Sequence, residues 1–473
     1  MKHGLTLALA KAIRFYYVLM EEICMKKKIS LIVAGIMMVS VMFTGCQSKN
    51  SSETTAVPTP TPVSKEADTS KETKAETKTD TSEDEKVEFT WMHHLQEVGK
   101  QDWIQNSVKE YTAKHPNVTI NIENVKADQY TTMLKTKIAS GDAPMIFDLD
   151  RSNTIEFTNA GHLADVSDIE GLKENFDEQI LAQGQVNSSQ YGVPLDVNGY
   201  GVFYNKDIFQ KYGLSIPKTN DELLQVCETL SKNGVTPLGA AFSEAWCLRQ
   251  FFTAYLDIFS VESNSEWYTQ KMALKNNFSN DKAFKDAMST VYSYKKYWGS
   301  DPFSTSWNDV LNKLATGEVA MTINASWTID GVLGINPEAN LGTFAVPVSN
   351  DPAQTKIRIK PGNNYCVYKN EDEKKLAVAK DFFAYLCSKE SAEYYAVAAH
   401  GLTGCNVDVD VIEPINDITA YEGDYRYVQS AVTTFNSAYL TSIEDLTTQF
   451  MMEKSFDVNA YAQKLDKAFA AVQ

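Results

Sequence analysis

The sequence has no excess of basic charge, and that absence excludes nucleic acid as a partner. Its 473 residues carry 44 Lys and Arg against 61 Asp and Glu, a formal net charge of −17 at pH 7. Nucleic-acid binding needs basic patches that displace counterions, which this balance does not supply. Seven cysteines are present (Cys24, Cys46, Cys227, Cys247, Cys366, Cys387 and Cys405), but none form a CxxC pair. A zinc knuckle or a thioredoxin-type motif is therefore not expected. The five beyond residue 86 are an odd number and cannot all pair within one chain; they read as small buried hydrophobes. Histidine is scarce, at six, and no HxxxH spacing occurs. His93 and His94 are adjacent, and adjacent strand positions face opposite sides, so no metal site and no cofactor are expected. There is also no GxSxG nucleophile motif and no internal repeat.

What is present begins with an address. Lys26-Lys27-Lys28 precede an apolar run from Ile29 to Phe43 and then Thr44-Gly45-Cys46. This is the pattern of a basic region, a hydrophobic region and a small-residue cleavage site, too short for a bilayer span. The string FTGC resembles the lipobox of bacterial lipoproteins, with Phe43 in place of the usual Leu. The resemblance implies residues 25–45 as signal peptide and lipidation of Cys46, which would anchor the protein to the outer face of the cell membrane. Met25 starts a complete leader by itself, so residues 1–24 read as an over-extended reading frame. Residues 47–86 hold no aromatic, Leu or Ile and cannot bury enough surface to fold. With Cys46 they make a tether whose flexible span is about 35 Å.

From residue 87 the pattern becomes globular. Val87–Met92 alternates as a strand, 103–115 reads as a helix stopped by Pro116, and Val118–Ile122 is a second strand. A helix over 128–140 stops at Gly141, and 145–149 reads as a buried strand. This order predicts a parallel, doubly wound α/β sheet, with ligands beyond the carboxyl ends of its strands. Those ends are Trp91-Met92-His93-His94 and Asp148-Leu149-Asp150-Arg151. A second αβ block begins near residue 199, with strands over 202–204, 319–323 and 342–347 and helices over 220–233, 281–297, 375–387 and 458–471.

Several strings in order carry a family resemblance: HPNVTINIE, YTTMLKTKIASGDAPMIFDLD, NAGHLADVSD, YGVPLDVNGYGVFYNKDIFQKYGLSIPKTNDELL, GEVAMTINASW and KKLAVAKDFFAYL. Over about residues 87–405 the chain resembles the extracellular solute-binding proteins of ABC importers, of the maltodextrin- and sugar-binding class. Met145 stands where that family often has Asp. The resemblance implies a two-lobed periplasmic-binding-protein-like fold of type II, each lobe an α/β sheet flanked by helices, with the ligand in the cleft between them. Lobe I is expected over 87–197 with about 366–415, and lobe II over 198–365 with about 416–473. Crossings are expected near 194–198, 362–367 and 410–420. The implied function is capture of a carbohydrate, expected to be an oligosaccharide, by a monomer that delivers it to permease subunits and their ATPase. Hinge closure of the lobes presents a new surface to that permease.

A sugar offers an apolar ring face and a rim of hydroxyls, so its site needs flat aromatics together with carboxylates or amides. Trp327 follows an apolar strand, and the family's matching Trp lines the cleft; the alternative is a Trp that caps the lobe core. Trp246 is flanked by apolar residues and could be core. Tyr200 and Tyr365 flank the first two crossings, and His94 lies beyond the end of the first strand. For the polar rim the candidates are Asp196 and Asn198 at the first crossing, Asp150 and Arg151 at a point where the family has an acid and an Arg, and Asp148, which could equally cap a helix. Asn324, Asn363 and Asn364 are amide candidates. Asn and Asp also occupy turns for backbone reasons, so each has a structural alternative.

Three other functions share parts of this pattern. Asp148 and Asp150, two apart on a strand and roughly 7 Å from one another, have the spacing of a glycosidase pair, but the family-like strings belong to binding rather than turnover. Metal capture through His93 and His94 has the facing problem already noted. The third is the same fold binding a polyamine, a peptide or a phosphorylated polyol, which the acidity of the head favours and the aromatic candidates oppose.

Overall fold

The computed structural model describes residues 85–262, 266–421, 435 and 437–472. The expected leader, Cys46, nearly all of the tether and residues 1–24 lie outside the described residues. The strands in chain order are β1 (Val87–His93), β2 (Val118–Asn124), β3 (Ile146–Leu149), β4 (Gln185–Val186), β5 (Ser189–Gln190), β6 (Val193–Pro194), β7 (Asp196–Asn205), β8 (Thr236–Gly239), β9 (Val319–Ala325), β10 (Leu341–Phe344), β11 (Arg358–Pro361), β12 (Asn364–Val367) and β13 (Leu402–Thr403). One sheet has the order β2-β1-β3-β12-β6. The other has the order β10-β7-β9-β8, with β11 and β13 also paired to β7.

The two-lobed α/β architecture follows from these sheets and the helices that cover them, but the sheets are mixed. β1, β2 and β3 are parallel, as the strand–helix alternation requires. β12 enters the first sheet from the other lobe and runs antiparallel to β3 and β6. In the second sheet only β8 and β9 are parallel, and β7 runs antiparallel to β9, β10, β11 and β13. A sequence of local strand–helix units does not reveal strands that arrive by crossing. Other boundaries move for local reasons. The strand expected at 202–204 is the end of the ten-residue β7. The helix expected over 281–297 is α-helical only over Lys282–Ser293 and tightens to a 3₁₀ turn at Tyr294–Tyr297. The strand expected over 342–347 ends at Phe344, and the next amide, that of Ala345, donates to the Tyr421 hydroxyl.

Helix Val98–Lys114 buries Trp103, Ile104, Ser107 and Tyr111, a stripe at helical spacing, against the first sheet. There Trp91, Trp103, Phe382 and Tyr365 meet edge to face; the Trp91 and Trp103 rings are 5.5 Å apart at 89°. Trp103 Nε1 donates to Ser391 Oγ at 3.0 Å, so this aromatic core leaves that indole satisfied. In the second lobe β9 is buried throughout, its mainly apolar run carrying only Thr322 and Asn324 as polar members. The helix that leads to it, Trp307–Thr316, opens with a Ser306/Asp309 capping box and closes on left-handed Gly317. Cys227, Cys247, Cys366, Cys387 and Cys405 are buried and unbridged, as expected of small hydrophobes.

Three segments pass between the sheets side by side. One residue separates β6 from β7, two separate β11 from β12, and β13 pairs with the start of β7. Backbone bonds join them: Gly362 N–H donates to Asp196 O and Gly404 N–H to Leu195 O, both at 2.9 Å. The approach requires glycine, since a Cβ on Gly404 would lie 2.1 Å from the Pro194 carbonyl oxygen and one on Gly362 1.9 Å from Asp196 Oδ1. Gly404→Ala is expected to lower stability by about 1–3 kcal/mol, because main chain rather than a mobile side chain has to move. Urea unfolding of the purified protein measures it; an unchanged midpoint contradicts the packing described.

Candidate functional site

The first lobe contributes the ends of β1 and β3. His94 follows β1, and its Nδ1 lies 3.1 Å from Oδ2 of Asp148, which is buried on β3. Asn363, on the second crossing, donates to the same Oδ2 at 2.7 Å, while the Asp148 amide donates to the Tyr130 hydroxyl at 3.0 Å. Burial alone would raise the Asp148 pKa, but the neighbouring His94 charge and the hydrogen bonds hold it below the usual carboxylate range. Burial likewise opposes protonation of His94, yet the Asp148 carboxylate outweighs it and raises the His94 pKa. His93 differs: buried beneath the sheet, its pKa falls to about 4.

The second lobe contributes an aromatic wall. Trp327 is the first residue of helix Trp327–Ile335, directly after β9, and is half-buried. Tyr200 on β7 meets it edge-on, 5.7 Å between ring centres at 88°. Trp246 lies 6.2 Å from Trp327, and Trp307 lies 5.6 Å from Trp246. Glu244 ties these together, accepting from Trp246 Nε1 at 2.9 Å and from the Trp307 amide at 2.8 Å. Behind Tyr200 stands the Lys360 ammonium, 3.7 Å from the ring centre. Lys360 is held in turn by fully buried Asp257 at 3.2 Å, which also faces Arg358 at 3.4 Å and accepts from the Tyr268 hydroxyl at 3.0 Å. Burial brings the Lys360 pKa down to about 8, and Asp257 limits the fall.

Between the two walls lie the crossing residues. Asp196 accepts from Asn198 Nδ2 at 3.1 Å and from the Tyr395 hydroxyl at 3.2 Å. Asn198 Oδ1 accepts from Ser326 Oγ at 3.3 Å, one residue before Trp327. Lys100, near the start of helix Val98–Lys114, bridges the groups: its Nζ is 3.9 Å from Asp196 and 5.7 Å from the Trp327 ring centre. Burial would lower its pKa, but Glu97, Asp196 and Asp330 together raise it and keep it charged.

Of the residues singled out from sequence, Tyr200, Trp246 and Trp327 come together, Asp196 and Asn198 stand beside them, and His94 with Asp148 forms the opposite group. Five others are engaged in holding the lobes' own structure. Asp150 is the N-cap of helix Arg151–Asn159, accepting from the Asn153 amide. Arg151 Nη1 donates to the carbonyls of Ala182 and Gln183, at 2.8 and 2.7 Å. Asn364 donates to Thr154 Oγ1 and the Gln183 carbonyl, at 2.9 and 3.0 Å. Tyr365 packs against Trp91 and Trp103 in the first core. Asn324 is buried on β9 and accepts from the next amide. Asp148, not Asp150, is the strand-end carboxylate left facing His94 and Asn363; the alternative of Asp148 as a helix cap does not arise, because Asp150 fills that place. Sequence reasoning missed Lys100, Glu244, Trp307 and Lys360. The SxxD capping signal at Ser306 could have placed Trp307 at a helix start, but nothing local marks Lys100 or Lys360 as neighbours of Trp327 and Tyr200. Among the described residues no cluster of His, Cys, Asp or Glu could hold a metal ion, and no helix is long and apolar enough to cross a membrane.

Two mixed α/β lobes, three connecting segments and an aromatic wall opposite a polar one define a solute receptor of the two-lobed kind. Residues 97–393 match the family model described as "Bacterial extracellular solute-binding protein", and the chain belongs to that family. It is 25% identical over 329 residues to the multiple sugar-binding protein of Streptococcus mutans, covering 67% of this chain and 75% of that one. It is 22% identical over 340 residues to the melibiose/raffinose/stachyose-binding protein MelE of Bacillus subtilis, covering 70% and 75%. Its fold is similar to RafE solved in complex with raffinose, with TM-score 0.68 and 23% identity over 81% of this chain and 99% of that one. It is also similar to a Bacillus licheniformis sugar transporter in complex with stachyose, with TM-score 0.66 and 17% identity over 82% and 100%. The family and these relatives are binding proteins rather than enzymes.

Two outcomes test the electrostatics. Asp257→Ala leaves Arg358 and Lys360 buried without their shared carboxylate and is expected to cost about 3–5 kcal/mol in chemical unfolding; a loss below 1 kcal/mol contradicts the arrangement. His93, held neutral with its pKa at about 4, makes the folded state bind fewer protons than the unfolded state below pH 6.5. Its contribution to stability therefore falls as pH drops from 6.5 towards 4, and unfolding curves across that range are expected to be flatter for His93→Asn than for the parent. Identical slopes contradict the assignment.

Proposed function

We propose that this protein is the lipid-anchored, extracytoplasmic receptor of an ABC importer, which takes an oligosaccharide between its lobes and passes it to the permease subunits and their ATPase. The observation that carries the sugar reading is the wall of Trp327, Tyr200 and Trp246, with carboxylates and amides at Asp148, Asp196, Asn198 and Asn363. Indole faces pair with apolar ring faces, and bidentate acceptors pair with hydroxyls. The relatives support it, since the S. mutans protein is named as multiple sugar-binding and the fold neighbours were solved with raffinose and stachyose. The acidity of the chain does not argue for a cationic solute, because Asp148 faces His94, and Asp196 has Lys100 beside it.

In this reading Trp327 stacks on a sugar ring, Tyr200 and Trp246 hold its orientation, and His94 with Asp148 meets hydroxyls from lobe I. Lobe I comprises 87–197 with about 366–415, and lobe II 198–365 with about 416–473. Lipidation at Cys46 fixes the monomer to the membrane, and residues 47–86 let the head reach the permease. Thermal unfolding with a panel of mono- and oligosaccharides, amines and peptides tests the function. A sugar at about 1,000 times its dissociation constant adds roughly 4 kcal/mol of stability, and Trp327→Ala is expected to abolish that gain. Stabilisation by an amine or peptide and by no sugar transfers the function to another solute.

A further inference from the structure

Helix Val98–Lys114 begins without a cap of its own. Its N-cap residue, Glu97, makes no side-chain hydrogen bond to the helix, and the first turn carries no acidic residue. The first amides of a helix lack partners within it and form the positive end of its dipole. One of them is satisfied from far away in sequence: the Gly99 amide donates to Asp330 Oδ2 at 3.1 Å. Asp330 is buried on helix Trp327–Ile335, the helix that opens with the candidate stacking residue. Helix Val98–Lys114 packs beneath β1 of the first sheet, whereas helix Trp327–Ile335 follows β9 of the second, so this bond joins the lobes.

The surroundings are shaped to it. A Cβ on Gly99 would lie 1.9 Å from the Ala398 carbonyl oxygen, and one on Gly334 would lie 3.2 Å from Val98 Cγ2. The start of helix Val98–Lys114 is thus pressed against helix Lys389–Ala398 of its own lobe at Gly99, and against helix Trp327–Ile335 at Val98 and Gly334. Lys100, the next residue after Gly99, reaches Asp196 at the first crossing and the face of Trp327. His400 Nδ1 lies 3.7 Å from the other carboxylate oxygen, Oδ1. Everything that faces Asp330 in this way comes from the first lobe.

We propose that Asp330 is a helix cap supplied across the lobes: a positioning residue whose bond to Gly99 favours the lobes-together state and sets how long a bound ligand stays. Its kinetic consequence rests on the sugar reading above, while its mechanical consequence does not. Parting the lobes exchanges this buried, charge-assisted bond for water, so loss of the carboxylate shifts the balance towards the parted state.

The test compares the parent protein with Asp330→Ala and Asp330→Asn. Small-angle scattering without ligand is expected to show a larger radius of gyration for Asp330→Ala, with unchanged far-ultraviolet circular dichroism. Stopped-flow tryptophan fluorescence with the best stabilising sugar is expected to show dissociation about tenfold faster and association changed less than twofold, the tenfold factor being that of a typical lost cap. Asp330→Asn keeps an acceptor oxygen and is expected to lie between the two; being isosteric, it carries the test should the alanine variant not fold. A purely local structural role lowers stability without moving the radius or splitting the two rates. Unchanged radius and unchanged dissociation in the folded variants overturn the proposal. If no sugar binds even the parent, the sugar reading fails and scattering alone still decides the cap.

Discussion

The structure depends on three chain segments passing between two sheets within backbone-contact distance. Only glycine permits it: Gly362 lies against Asp196, and Gly404 against Pro194. From that junction β7 runs into the second sheet, and β12 returns to the first beside β3. The junction thus brings the ends of β1 and β3, with His94 and Asp148, to the side on which β7 presents Tyr200 and the helix after β9 presents Trp327. The binding groups are few, and most are within a residue or two of a crossing or a strand end. Such a site moves when the lobes move, which is what a receptor needs in order to report occupancy to a membrane partner.

Charge within this region is arranged in pairs. Asp148 faces His94, Asp196 has Lys100 beside it, and Asp257 holds both Arg358 and Lys360. Each of these three carboxylates thus has a cation beside it. Buried ion pairs are weak sources of net stability, but they fix geometry when every member is held. Here Asp257 fixes Lys360, Lys360 sits on the Tyr200 ring, and Tyr200 sets the edge against which Trp327 stands. The same economy appears in Glu244, one carboxylate that orients Trp246 and the start of the Trp307 helix.

Much of this was legible before the fold was known. Alternation in Val87–Met92 and Val118–Ile122, the stop at Gly141 and the family-like strings were enough for the two-lobed α/β class, and INASW was enough to single out Trp327. Local signals failed where neighbours come from afar. Tyr365 alternates with Cys366 and Val367, and its burial against Trp91 and Trp103 depends on β12 returning beside β3. Asp150 and Asp148 are the same residue type two positions apart, and the start of a helix at Arg151 alone separates a cap from a buried strand carboxylate that faces His94. Lys100, Glu244 and Lys360 read as ordinary surface charges; only tertiary contacts put them beside aromatic rings. The cap from Asp330 to Gly99 crosses 231 positions and leaves no mark in either neighbourhood except two glycines.

The central claim is that the aromatic wall of the second lobe and the His94–Asp148 pair of the first take hold of one sugar together. The most direct measurement is a crystal structure of the protein grown with the oligosaccharide that stabilises it most. The account predicts a sugar ring stacked on Trp327, with hydroxyls meeting Asp148 or His94 from the opposite lobe. A ligand bound elsewhere, or one that touches a single lobe and leaves Trp327 uncovered, contradicts it.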